Sequence, residues 1–196
     1  MRTRDDQKEL LVKEKAIELL VKHGFEGFSM QKLAREAKIS PATIYIYYSD
    51  KDELIKKLGI ELATMMTDIT LEGFSGKMSF ADGLKKQWEN RSRFWLMHQK
   101  EAMAYEVIRH SPHGQYVTSV SSTQFRPVME EFAKNAIKNK ELRPMPFEVY
   151  WSIAFGPLYT MVKFHLEGGL KAGHQFAFSK KLMYEALELV LKALRP

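Results

Sequence analysis

No cysteine occurs among the 196 residues. That absence removes disulfide scaffolds, thiolate zinc sites, iron–sulfur ligation and thiol nucleophiles together. It also fits a reducing compartment, so a cytoplasmic protein is expected. No apolar stretch of signal-peptide or membrane-spanning length is present, and Met1-Arg2-Thr3-Arg4-Asp5-Asp6 runs straight into a charged amphipathic pattern; a soluble, unexported chain with no membrane partner is expected. Period-two alternation, internal repeats and low-complexity tracts are missing too, which excludes strand-built and solenoid architectures. There is no Gly-rich phosphate loop and no paired metal motif. With the thiol gone as well, no catalytic constellation is legible, and the expectation is a non-enzyme without metal or cofactor.

What is present is ordinary globular composition, 45% hydrophobic and 28% charged, which argues against disorder and for a chain that folds throughout. The net charge of +6 favours anionic partners such as nucleic acid. That excess is not concentrated at the N-terminus: residues 1–57 hold twelve Lys and Arg against ten Asp and Glu. A nucleic-acid face there has to come from arrangement rather than bulk charge.

Helical periodicity runs along the whole chain. Val12, Ala16, Leu19 and Leu20 fall at i, i+4, i+7 and i+8 of a helix from Asp6 to His23, closed by Gly24 at the C′ position. Ser29 caps a short helix whose Met30, Leu33, Ala34 and Ala37 share one face. After a tight turn at Lys38-Ile39, Ser40-Pro41 starts a third helix with an N-cap hydroxyl and a proline at N1. Asp50 and Glu53 form a variant capping box for a fourth, from Lys51 towards Glu72. Further helices are expected over Ser79–His110, Gln115–Lys138, Pro146–Glu167 and Ser179–Leu194, with breakers between them. The fold class is therefore all-α, with about nine helices.

Two short capped helices joined by a tight turn are what a helix-turn-helix requires: the first braces, the second enters the major groove. Ser40, Pro41, Ala42, Thr43, Tyr45 and Tyr47 would face DNA, their hydroxyls, small groups and rings suited to phosphates, thymine methyls and base edges, while Ile44 and Tyr48 face inward. Lys51 stands out, because a cation at the first position of a helix opposes the macrodipole by about 0.3–1 kcal/mol. A DNA phosphate would offset that cost; a solvated side chain is the plain alternative.

The run Met30-x-x-Leu-Ala34-x-x-Ala37-x-Ile39-Ser40-x-x-Thr43-Ile44-Tyr45-x-Tyr47-Tyr48-x-x-Lys51-x-x-Leu54 resembles the tetracycline-repressor (TetR) family. The resemblance is strong over about the first quarter of the chain. It implies a helix-turn-helix domain at 1–57 and a helical ligand-binding and dimerisation domain at 58–196. It further implies a homodimer, paired through its last two helices, that acts as a ligand-responsive repressor on a near-palindromic operator of double-stranded DNA. By matching position, the DNA contacts are expected among Ser29, Gln31, Ser40, Pro41, Ala42, Thr43, Tyr45, Tyr47 and Lys51. An architectural or division-control protein of the same fold is the alternative. One departure is Lys38, which occupies the turn position often filled by glycine in the family; a left-handed lysine would cost roughly 1–2 kcal/mol. Arg2 and Arg4 form a basic arm that could reach a minor groove or stay unordered.

In the larger domain no motif carries over. Its rings and thioethers either fill the core or line a pocket for an unidentified small-molecule effector. The pocket candidates are Trp88, Trp95, His98, Tyr105, Phe125, Met129, Trp151, Phe155 and Tyr159. His98 with Glu101 and Glu106 with His110 have helical spacings that suit either metal ligation or ordinary surface pairs. His165 reads as an interior histidine. Gly156-Pro157 inside a helix predicts a kink. The apolar faces of the last two helices, with Phe155, Leu158, Val162, Tyr184, Leu187 and Leu191, are wide enough for core and partner together.

Overall fold

The structure is a computed structural model that describes residues 4–169 and 175–196, the side chains of residues 4, 5 and 121 excepted. Among the described residues there are nine α-helices and no strand: α1 Arg4–His23, α2 Met30–Ala37, α3 Pro41–Tyr47, α4 Lys51–Leu71, α5 Phe80–Met97, α6 Gln99–Arg109, α7 Gly114–Lys138, α8 Phe147–Leu166 and α9 Lys180–Leu194. The expected all-α class holds. None of these helices is long and apolar enough to cross a membrane.

Helix ends form where short polar side chains satisfy the first amide groups. Ser29 Oγ accepts from the Lys32 amide at 3.2 Å, and Ser40 Oγ accepts from the Thr43 amide at the same distance with Pro41 at N1. At α4, Asp50 Oδ1 accepts from the Glu53 amide at 2.8 Å, while Glu53 Oε2 reaches back to the Ser49 amide at 2.6 Å. The reciprocal cap is thus one residue wider than a standard capping box. Ser179 caps α9 in the same manner.

The turn between α2 and α3 adopts the left-handed backbone that the sequence made costly. Lys38 has φ 54° and ψ 40°, and the amides of Lys38 and Ile39 close back on the carbonyls of Arg35 (3.2 Å) and Ala34 (3.0 Å). Those two bonds satisfy the last carbonyls of α2 in a Schellman arrangement, and Ile39 packs on the core beyond it. The bonds and the apolar contact together outweigh the strain.

One element differs from expectation. The helix expected over 79–110 is two helices, broken at His98, whose φ of −124° and ψ of 48° lie outside the helical region. Neither glycine nor proline marks the break. It falls where the chain passes from one compact unit to the other. α8 spans Phe147–Leu166 as one helix with Pro157 inside it, matching the expected extent, and α7 likewise contains Pro127.

The chain divides into two compact units with extents unlike a cut after residue 57. The first comprises residues 1–67 and 98–123. Here α1 packs on α2, α3 and α6, and the core joins Val12, Leu20, Leu33, Ile44 and Leu54 with Tyr105, Ile108 and Val117. The four apolar positions expected on α1, including Ala16 and Leu19, are all buried. The second unit comprises residues 68–97 and 124–196. In it α5 packs on both α8 and α9, which pack on each other, around Trp88, Phe132, Phe155, Leu158 and Leu187.

Candidate functional site

Burial of one face of α2 and α3 determines what the other presents. Met30, Leu33, Ala34 and Ala37 of α2 are buried, and so are Ile44 of α3 and the adjoining Tyr48, at 0% and 2% exposure. The opposite side of α3 therefore points to solvent: Ser40, Pro41, Ala42 and Tyr45 are exposed and Thr43 is half-buried, its hydroxyl 2.9 Å from Ser40 Oγ. Gln31 is exposed; Ser29 is half-buried and engaged as a cap. Tyr47 is half-buried against the core, its ring 6.5 Å from that of Tyr48, so it is less available than expected. The sequence reading passed over Ile46, which at 76% exposure is the most exposed large apolar side chain of the described residues. Helical spacing relative to Ile44 and Tyr48 was the signal. A bare aliphatic group on a reading helix suits thymine methyls.

Lys51 has partners of its own. Its Nζ donates to the Phe25 carbonyl at 3.0 Å and lies 4.0 Å from the centroid of the Phe25 ring. The opposing helix dipole is thus offset within the chain, and donors remain on the ammonium for a phosphate. Lys32 Nζ donates to the Gly27 carbonyl at 2.8 Å, so two lysines tie down the turn between α1 and α2. The Phe25 ring meets His113 edge-on at 5.7 Å, and His113 Nε2 lies 3.0 Å from Asp52 Oδ1. Hydrogen bonds from Lys57 and from the Ser49 amide hold the Glu53 carboxyl at about 2. The basic arm lies outside the description, Arg2 entirely and Arg4 in its side chain.

The pocket candidates fall into separate groups. Trp88 is fully buried and donates its indole N–H to the Ala154 carbonyl at 2.7 Å; it and buried Met129 belong to the core of the second unit. His98 and Tyr105 belong to the first unit, Tyr105 within its core. Phe125, Trp151, Phe155 and Tyr159 do come together, around a residue the sequence reading did not single out. Arg91 of α5 is 5% exposed, with its guanidinium carbon 4.4 Å from the Phe155 centroid, 4.9 Å from Trp151 and 5.3 Å from Phe125. Its Nη1 donates to Tyr159 Oη at 2.6 Å, and the Tyr159 ring meets Trp95 at 6.4 Å. Arg91 Nε and Nη2, Tyr150 Oη and Gln87 Oε1 are buried with no hydrogen-bond partner. Burial pushes the Tyr150 phenol up to about 12, keeping it a neutral hydroxyl.

The remaining expectations resolve locally. His165 is exposed rather than interior, with Nδ1 accepting from the Phe178 amide at 3.4 Å. His110 Nδ1 lies 2.8 Å from the Glu106 carbonyl, and the Glu106 carboxylate takes Arg109, an ordinary arrangement at a helix end. Among the described residues no three His, Asp or Glu converge. Of the six apolar residues named on the last two helices, Phe155, Leu158, Val162 and Leu187 are buried within the chain. The exposed apolar groups of α8 and α9 are instead Phe147, Val149, Leu182 and Leu189.

Comparison with known proteins places the helix-turn-helix among its relatives. Residues 14–58 match the family described as bacterial regulatory proteins, tetR family. Over 72 residues the chain is 31% identical to an uncharacterized HTH-type transcriptional regulator of Haemophilus influenzae, covering 37% of this chain and 38% of that protein. It is 25% identical over 163 residues to the uncharacterized HTH-type transcriptional regulator YdeS of Bacillus subtilis, covering 81% of this chain and 79% of the other. The crystal structure of a TetR family transcription regulator from Marinobacter aquaeolei superposes with a TM-score of 0.82 at 25% identity, over 100% of this chain and 99% of that one.

Proposed function

We propose that this chain, a member of the TetR family of bacterial regulatory proteins, works as a homodimeric, ligand-responsive repressor that binds a near-palindromic DNA operator. The observation that carries the reading is the exposed side of α3, where Ser40, Pro41, Ala42, Tyr45 and Ile46 stand clear of a core that fixes Ile44 and Tyr48. A helix held this way is placed to present its first turns to base edges. Lys51 and the amides at the start of α4 supply a phosphate contact beside it. Two such helices reach successive major grooves, about 34 Å apart, only when paired by a two-fold axis. Exposed Leu182 and Leu189, two turns apart on α9, together with Phe147 and Val149 of α8, supply an apolar surface suited to that pairing. Effector binding in the helical unit would favour a conformer whose spacing no longer matches the DNA.

Selection of bound sites from random duplex DNA, alongside the mass of the protein in solution, tests this. Enrichment of an inverted repeat by a dimer is the expected result. No enrichment at low or physiological salt, or a monomer bound to a single half-site, would overturn it.

A further inference from the structure

We propose that the unused edge of buried Arg91 is the anchor point for a small apolar carboxylic acid, which identifies the chemical class of the effector; the proposal rests on the ligand-responsive reading above. Arg91 is the one charged residue among the buried described residues, and no carboxylate pairs with it among them. A buried charge is costly unless something answers it. Three rings meet the guanidinium, and Tyr159 accepts from Nη1. What stays open is Nε and Nη2 together. These two donors lie side by side on one edge of the planar group, and that edge matches the two oxygens of a carboxylate in parallel hydrogen bonds.

The neighbouring unpaired atoms extend the same preference. Tyr150 Oη is a buried hydroxyl, and the Tyr150 ring meets Phe155 at 6.3 Å, the ring nearest the Arg91 guanidinium carbon; the hydroxyl would donate to a remaining carboxylate lone pair. Gln87 lies one helical turn before Arg91, so the two side chains share a face of α5. Its amide nitrogen is committed to the Thr70 carbonyl at 3.0 Å, which leaves the oxygen as the free end, an acceptor for a hydroxyl or amine on the ligand body. The rings around the guanidinium are aromatic, and Arg91 is the only buried cation among the described residues. One negative charge is therefore neutralised, whereas a phosphate monoester, at about −1.5 to −2, would bring excess charge into the same surroundings. The ligand is a monocarboxylate with an apolar body.

The full-length protein would be titrated with benzoate, cinnamate and octanoate and with the matched amides, reading tryptophan fluorescence, because Trp151 faces Arg91, and thermal midpoint. At least one acid should saturate and raise the midpoint, with its amide at least tenfold weaker. Arg91→Gln, and Arg91→Lys, which keeps the charge but loses the fork, should each weaken the acid at least tenfold. Tyr150→Phe changes one buried atom and serves if the Arg91 variants do not fold; it should weaken the acid several-fold. No binding by any acid, amides equal to acids, wild-type affinity in Arg91→Gln, or phenyl phosphate tighter than benzoate would each overturn the proposal. Affinity for the selected DNA separates this from the wider reading. Acid binding that leaves DNA affinity unchanged would keep the site and sink ligand-responsive regulation; a cell extract that alters DNA affinity while no acid binds would do the reverse.

Discussion

At the residue scale, Lys38 is held in a backbone conformation that glycine adopts without strain. The left-handed cost of roughly 1–2 kcal/mol exceeds the extra unfolded-state entropy of glycine, so Lys38→Gly should raise stability by about 0.5–1 kcal/mol in urea unfolding. Tyr45 and Ile46 are opposite in kind: exposed at 48% and 76%, they contribute little to the core. Tyr45→Ala and Ile46→Ala should each leave unfolding free energy within about 0.5 kcal/mol of wild type while weakening binding to the selected DNA several-fold, and Ile46→Ala should relax preference for thymine at one position. A large loss of stability in either variant would mean that α3 is anchored through these side chains instead. The exposed face of α3 was legible because helical spacing from Ile44 and Tyr48 is a local matter. Arg91 was not, although its place three residues after Trp88 and three before Phe94 puts it on the buried stripe of α5. What makes it special are rings brought in from α7 and α8, and no spacing within α5 foretells them.

At the scale of the element, α4 gathers several constraints. The Glu53 carboxyl, held near 2 against an ordinary 4.5, ties its first turn to Ser49 and Lys57. A carboxyl with a lowered folded value contributes stability above its ordinary value and loses it as pH falls towards the folded one. Unfolding midpoints should therefore drop between about pH 4.5 and 2, and Glu53→Gln should flatten that part of the profile. Farther along α4, Gly59 has no need of a left-handed backbone; it is there because a Cβ would sit 2.8 Å from Val117 Cγ2 and 2.9 Å from Ile108 Cγ2. Gly59→Ala should gain about 1 kcal/mol in helix propensity yet lose more to overpacking, typically 1–3 kcal/mol, for a net fall in the thermal midpoint. The starts of α2, α3 and α4 were readable because each cap lies within three residues of the amide it serves. The break at His98 was not, since the apolar period continues through it and neither glycine nor proline marks it.

At the scale of the whole molecule, the unit that carries the helix-turn-helix is discontinuous in sequence: residues 1–67 need 98–123 to complete their core. The motif could be read from one short run, but the packing of Tyr105, Ile108 and Val117 against α1 and α4 could not. A fragment of residues 1–67 should therefore lack a cooperative thermal transition that the full chain shows; a sharp melt in the fragment would mean that α6 and the start of α7 add little. Once the 98–123 segment is added as a separate peptide, the transition should return. The same discontinuity imposes an order on biosynthesis. Translation at about 5–20 residues per second separates the emergence of Ile55 from that of Val117 by roughly 3–12 s, and for that interval the nascent helix-turn-helix carries an uncovered apolar surface. The arrival of α6 and the start of α7 decides when the nascent chain first becomes competent to hold α3 in place, long before the last helix has left the ribosome.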